Sequence, residues 1–137
     1  MRVCYLVGYP VGHSLSAEMQ NAAFKELGLD FRYELRQVRP EALKAFVNSA
    51  LRAPEVLGAN VTIPHKVSIV ELLDEVETSA ARIGAVNTII NNDGRLRGYN
   101  TDGVGALRAL KEGFGDLRGA KVVVIGAGGS ARAICYH

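Results

Sequence analysis

Short segments with a two-residue hydrophobic period alternate with segments of helical period from residue 2 to residue 75, and few folds accept that alternation. Residues 2–7 are a β-rich apolar run closed by Gly8-Tyr9-Pro10. A helix is expected from Ser16, with Met19, Ala22, Ala23 and Leu27 on one face and Gly28 ending it. Phe31, Tyr33 and Leu35 alternate with charged residues, the period of a half-buried strand. Pro40 suits the first turn of a second helix, which is expected to bury Leu43, Phe46, Val47 and Leu51. Val56 to Ile63 is a third strand, stopped by Pro64. These elements predict an α/β fold with an open, largely parallel sheet and flanking helices.

Beyond residue 66 the pattern predicts a helix through Val67, Val70 and Leu73, continuing with a break toward Ile83. Strands at 85–90 and 95–99 flank Asn91-Asn92-Asp93-Gly94, whose Asp-Gly step signals a hairpin. A helix follows over 101–112, and the glycines between Gly113 and Gly119 mark a linker. Lys121 to Ile125 is expected as a buried strand opening a second domain. The chain thus divides into a first domain over 1–100, a linking helix and hinge over 101–120, and the start of a Rossmann-like domain over 121–137. One strand and a stub of helix are too little for a stable second domain, so the chain is expected to be a piece of a longer protein.

Composition narrows the function classes. The chain has 137 residues, 48% hydrophobic and 22% charged, with a formal net charge of +2, as in a globular domain. No basic block offers a nucleic-acid footprint. No segment reaches the roughly 18 apolar residues of a membrane span, and the amino terminus lacks the plan of a signal peptide, so a cytoplasmic location is expected. Cys4 and Cys135 are expected as reduced thiols, and no Cys-x-x-Cys or nearby histidine pair suggests a metal.

Five polar stretches carry the chemistry. Gly126-Ala127-Gly128-Gly129-Ser130-Ala131 follows an apolar run and matches the Gly-x-Gly-x-x-Ala variant of the dinucleotide fingerprint. Alone it is a weak motif, shared with methyltransferases and flavoproteins. Ser14 and Ser16 flank Leu15 at a helix start, where they suit a ligand carboxylate or, equally, a helix cap by Ser16. Thr62 and Lys66 lie where a strand ends and a helix is expected, the place where open α/β sheets collect ligands. A lysine in a first helical turn opposes the dipole and calls for a reason, whereas His65 reads as a bystander. Asn87 sits in an apolar strand with four hydrogen-bonding positions to fill. In Gly98-Tyr99-Asn100-Thr101-Asp102-Gly103, Thr101 suits a cap and Asp102 a helix start. Together, Lys66 and Asp102 form a candidate proton-handling pair, surrounded by hydroxyls and an amide suited to a carboxylated polyol. With a dinucleotide turn nearby, the composite is an alcohol dehydrogenase acting on a small hydroxylated acid.

Gly-Tyr-Pro-Val-Gly-His-Ser-Leu-Ser, Asn-Val-Thr-Ile-Pro-His-Lys, Ala-Val-Asn-Thr, Gly-Tyr-Asn-Thr-Asp-Gly and Gly-Ala-Gly-Gly-Ser-Ala-Arg, in this order, closely resemble the shikimate dehydrogenase family. The resemblance covers essentially the whole chain. It implies reversible NADP-dependent reduction of 3-dehydroshikimate to shikimate, a step toward aromatic amino acids, with NAD the less favoured cofactor. By the same resemblance, Ser14 and Ser16 hold the substrate carboxylate, and Thr62, Asn87 and Asp102 bind ring hydroxyls. Lys66 and Asp102 are the catalytic pair, while Gly126, Ala127, Gly128, Gly129, Ser130 and Ala131 begin the cofactor cradle. The implied partner is a small molecule, with a homodimer allowed. The family usually has proline after the second serine, where this chain has Ala17. Family members also run to roughly twice this length (about two domains' worth), so the chain alone is expected to bind NADP poorly and turn over little or nothing. A quinate/shikimate dehydrogenase using NAD or NADP and a non-catalytic shikimate-binding module remain the alternatives; a methyltransferase leaves four of the five motifs unexplained.

Overall fold

The computed structural model describes residues Met1–His137. Six strands form one sheet in the order β2-β1-β3-β5-β6-β4, where β1 is Arg2–Gly8, β2 Phe31–Gln37, β3 Val56–Val61, β4 Glu75–Val76, β5 Thr88–Asn92 and β6 Arg95–Tyr99. The pairs β1–β2, β1–β3 and β4–β6 are parallel, and β3–β5 and β5–β6 antiparallel. The sheet is therefore open, with its parallel half built by the alternation read from the first 75 residues. The antiparallel pair β5–β6 turns at Asp93 and Gly94, both at positive φ, as a tight Asp-Gly hairpin requires. The helices are α1 (Ser16–Glu26), α2 (Leu43–Asn48), α3 (Thr78–Ile83), α4 (Asp102–Phe114) and α5 (Gly129–Tyr136). No helix is long and apolar enough to cross a membrane.

The core gathers on one face of the sheet: Val7, Val47, Leu51, Val56, Ile69 and Leu96 are fully enclosed there. Leu43, Val47 and Leu51 are buried as expected, with Phe46 packed partly against them. Asn91 closes this layer from the hairpin side. Its Nδ2 donates to the carbonyls of Leu51, Ala53 and Val56 at 3.0, 3.1 and 2.9 Å, and its Oδ1 accepts from Gly94 N at 2.8 Å.

Three expectations are corrected. Helix α1 does not turn Met19, Ala22, Ala23 and Leu27 inward; Met19 and Leu27 are 62% and 71% exposed. The covered face carries Ala17, Gln20, Asn21 and Phe24, because the Asn21 amide bonds the backbone of Tyr33 in both directions, at 2.9 and 2.8 Å. No α-helix runs through Val67, Val70 and Leu73. A turn and a short 3-10 segment lead instead into β4, where Asp74 N donates to Leu96 O and Asp74 Oδ2 accepts from Leu96 N. Glu77 then accepts from Ser79 N and Ala80 N and starts α3 afresh. Lys121 to Ile125 is an exposed segment outside the sheet and not a buried strand, since no other strand of this chain pairs with it.

Candidate active site

Lys66 owes its place to the turn that follows β3. Thr62 N donates to Val7 O, His65 N to Thr62 O, and Val86 N to Lys66 O, so backbone bonds fix the turn from three sides. The dipole argument for Lys66 falls away, because it stands in a turn and not in a helix. His65 anchors the same turn. It is fully buried, with Nε2 2.6 Å from Val38 O, and its Nδ1 has no partner.

The Lys66 ammonium donates to Asp102 Oδ2 at 2.6 Å and to Ser130 Oγ at 3.1 Å. The two side chains of the ion pair are only 17% and 23% exposed, so solvent screens it less than a surface bridge. Asp102 opens α4, where its negative charge meets the positive helix end. Thr101 does not cap that helix through its side chain. Asn100 Oδ1 accepts from Asp102 N at 3.0 Å in its place, while Asn100 Nδ2 donates to Ala85 O.

Asn87 supports the pair from behind. Its Nδ2 donates to Asp102 Oδ1 at 2.7 Å and to Thr101 Oγ1 at 2.9 Å, and its Oδ1 accepts from Thr101 N at 3.0 Å. Thr88 Oγ1 also donates to Asn87 Oδ1, at 2.9 Å, which fixes the amide with its NH₂ toward the carboxylate. Asn60 Nδ2 reaches Thr88 Oγ1 at 3.3 Å, and Tyr33 OH donates to Asn60 Oδ1 at 2.7 Å. A single hydrogen-bonded line therefore runs Tyr33–Asn60–Thr88–Asn87–Asp102–Lys66 across β2, β3, β5 and α4. Burial pushes the Tyr33 phenol up to about 12, with the Cys4 thiol a lesser contributor, so this end of the line stays protonated. Tyr33, Asn60 and Thr88 were given no site role from sequence; Asn60 belongs to the Asn-Val-Thr motif and Thr88 to Ala-Val-Asn-Thr, while Tyr33 read only as part of a half-buried strand.

Two clefts adjoin across Thr62 and Ile63. One, about 350 Å³, is lined by Ser14, Ser16 and Thr62 with His13 and apolar neighbours. Ser14 Oγ donates to Ser16 Oγ at 3.0 Å and accepts from Ser16 N at 3.2 Å, so Ser14, not Ser16, satisfies a donor at the start of α1. The second cleft, about 460 Å³, runs from Thr62 and Lys66 to Gly126, Gly128, Gly129 and Ser130, with Ala131 at its edge. Ala127 faces neither cleft, and its carbonyl accepts from Arg132 Nε. Asn87 and Asp102 stand behind Lys66 and not on a cleft wall.

Helix α5 is pressed close to this site. A Cβ on Gly129 would lie 2.9 Å from Lys66 Cβ and 3.2 Å from Ala85 Cβ, and one on Gly103 would lie 2.2 Å from Ala133 O. Without a side chain, Gly129 lets α5 approach the Lys66 turn and Gly103 lets α4 and α5 approach each other. The arrangement thus joins a hydroxyl-lined cleft, a charged lysine–carboxylate pair and a glycine-rich helix start along one trough. Chemically it can orient an anion at one end and exchange a proton near the middle.

Residues 6–89 match the family model described as the shikimate dehydrogenase substrate binding domain. The chain is 53% identical over 136 residues to the shikimate dehydrogenase (NADP(+)) of Geobacillus kaustophilus, covering 98% of this chain and 49% of that protein. A crystal structure of shikimate dehydrogenase in complex with NADP+ superimposes with a TM-score of 0.92 at 49% identity, over 98% of this chain and 47% of the other. Shikimate 5-dehydrogenase of Thermus thermophilus in complex with shikimate gives 0.91 at 42% identity, over 99% and 51%. The chain spans about half the length of the relatives it matches.

Proposed function

The chain belongs to the shikimate dehydrogenase family, and from that premise we propose that it carries the substrate-binding and proton-transferring part of an NADP-dependent shikimate dehydrogenase. The observation that carries the reading is the 2.6 Å contact between Lys66 and Asp102, held in a trough between a hydroxyl-lined cleft and a glycine-rich helix start. In this reading residues 1–100 hold the substrate, 101–120 link, and 121–137 begin the nucleotide-binding part.

Ser14 and Ser16 bind the substrate carboxylate, and Thr62, on the wall shared by both clefts, binds a ring hydroxyl. Asn87 and Asp102 bind further hydroxyls where the substrate reaches past Lys66. An ammonium has three donors; Asp102 and Ser130 take two, which leaves one for the oxygen at the reacting carbon. In reduction, Lys66 gives that oxygen its proton as the carbonyl becomes an alcohol; in oxidation it takes the proton back. Asp102 keeps the lysine aimed, and the Asn87 amide, fixed by Thr88 and Thr101, keeps Asp102 aimed.

Gly126, Gly128, Gly129 and Ala131 fit a dinucleotide. Gly126 has φ 117°, nothing crowds the space where a Cβ on Gly126 or Gly128 would lie, and the α5 amino terminus faces the same cleft. The cofactor, when bound, would supply the hydride chemistry, with NADPH giving a hydride in reduction and NADP+ accepting one in oxidation. The molecule works as a small-molecule enzyme of the cytoplasm.

The reading is tested by calorimetric titration of shikimate and, separately, quinate into the 137-residue chain and its Ser16→Ala and Asn87→Ala variants. Saturable binding of shikimate that weakens about tenfold in each variant, as loss of one hydrogen bond to a charged or buried partner predicts, supports it. Stronger binding of quinate would move the chain to the sister activity. Absence of binding to either ligand would remove the substrate assignment.

A further inference from the structure

Ser130 lies inside the glycine turn, where a dinucleotide fingerprint leads one to expect a phosphate ligand. Its hydroxyl instead accepts from Lys66 Nζ at 3.1 Å and lies 3.4 Å from Asp102 Oδ2, to which it donates. This is not a chance meeting of two flexible tips. Gly129 seats the first turn of α5 on the Lys66 stem, at 2.9 Å from its Cβ for an added methyl, and Gly103 lets the Ala133 carbonyl close onto α4. Ser130 therefore projects from a backbone that two close contacts hold at a fixed height over the ion pair.

We propose that Ser130 is a positioning residue of the Lys66–Asp102 pair and not a ligand of the cofactor phosphates. A hydroxyl has one donor and two acceptor sites, so Ser130 can accept from the ammonium and donate to the carboxylate together. It thereby stops Lys66 from rotating and leaves one ammonium N–H directed along the trough. Because Ser130 is carried by the turn that would cradle a dinucleotide, the turn's position and the lysine's aim are mechanically one. The inference rests on the proposed function for the chemistry it serves, but the contact itself is tested without turnover.

The test is competitive acylation of the folded chain with a small amine-reactive ester, read at each lysine by peptide mass spectrometry, in the native chain, Ser130→Ala and Ser130→Thr. Lys25 and Lys44, far from the trough in sequence, serve as internal standards. In Ser130→Ala, Lys66 should label about fivefold faster, the effect of losing one hydrogen bond to a charged group at a partly exposed site. Ser130→Thr, which restores the hydroxyl, should return it to near the native rate. Equal Lys66 labelling in the native chain and Ser130→Ala overturns the proposal, as does equal acceleration by alanine and threonine. Loss of NADP binding in Ser130→Ala of the gene product that carries these 137 residues, with Lys66 labelling unchanged, would make the serine a phosphate ligand and overturn it too. If shikimate fails to bind yet labelling follows the expected pattern, the positioning role stands and the substrate assignment falls.

Discussion

Gly103→Ala offers a way to pull the glycine turn off the ion pair without touching either. The added methyl would lie 2.2 Å from Ala133 O and 2.8 Å from Ala133 C, with His137 Cδ2 at 2.5 Å. The histidine ring can swing away; the carbonyl belongs to the α5 backbone and cannot. An ordinary carbon–oxygen contact needs about 3.3 Å, so α5 must retreat by roughly 1 Å from α4. Ser130 Oγ, now 3.1 Å from Lys66 Nζ, then passes out of hydrogen-bond range. Overpacking of this kind costs about 1–3 kcal/mol, while alanine in place of glycine inside α4 returns about 1 kcal/mol. The net loss, about 0–2 kcal/mol, should fall on α5 and spare the sheet. Hydrogen exchange with peptide-level mass spectrometry separates the two. Amides of 129–136 should exchange up to about thirtyfold faster, with β1, β3 and β5 unchanged. Unchanged protection in α5, or equal loss through the sheet, would refute the close approach of α4 and α5 as the element that sets the trough.

Other consequences follow from single residues. Asn91→Leu keeps the volume but leaves three carbonyls and the Gly94 amide without their partner, so the urea midpoint should fall by the equivalent of about 3 kcal/mol. A change below about 1 kcal/mol would mean that other partners take over. Tyr33 has its folded phenol pushed up to about 12, so its neutral form stabilises the fold fully below the unfolded value of about 10, and that contribution is lost as pH rises through 12. Over that alkaline window the native chain should lose stability faster than Tyr33→Phe, as followed by urea melts; parallel curves would contradict the buried setting of the phenol. Asp74 is held below the usual carboxylate range by hydrogen bonds from Arg52 and from the Leu96 amide. Its contribution is present above the unfolded carboxylate value and lost as pH falls through the folded one, so Asp74→Asn should narrow the gap between neutral and acid stability. A gap of unchanged width would remove that role.

Local chemistry in the chain made much of this legible. The Asp93-Gly94 turn, the first strand's end at Gly8 and the helix beginning at Asp102 stand where short-range patterns place them, while β3 stops at Val61, two residues short of the Ile63 expected. Lys66 and Asp102, 36 residues apart, do meet. What escaped were effects of partners distant in sequence. Asn21 carries no signal in the apolar spacing of its helix, yet its two bonds to Tyr33 set which side of α1 is covered and leave Met19 and Leu27 outside. The run from Val67 to Ile83 has helical spacing, but Asp74 finds Leu96 and becomes a strand edge, and Glu77 restarts the chain as α3. Tyr33, Asn60 and Thr88 align behind Asn87 only because β1 joins β2 to β3 and β3 pairs with β5. His65, which read as a bystander, turned out to be fully buried against Val38 O.

The proposed chemistry depends above all on Lys66 acting on the substrate oxygen. The most direct measurement is the absorbance of reduced nicotinamide after shikimate and NADP+ are added to the gene product that carries these 137 residues, alongside its Lys66→Ala variant. Turnover in the native protein that falls roughly 10²–10⁴-fold in the variant, with shikimate still bound, is the predicted result. Native-like turnover in Lys66→Ala, or shikimate bound by the native protein with no reduction of NADP+, would contradict it.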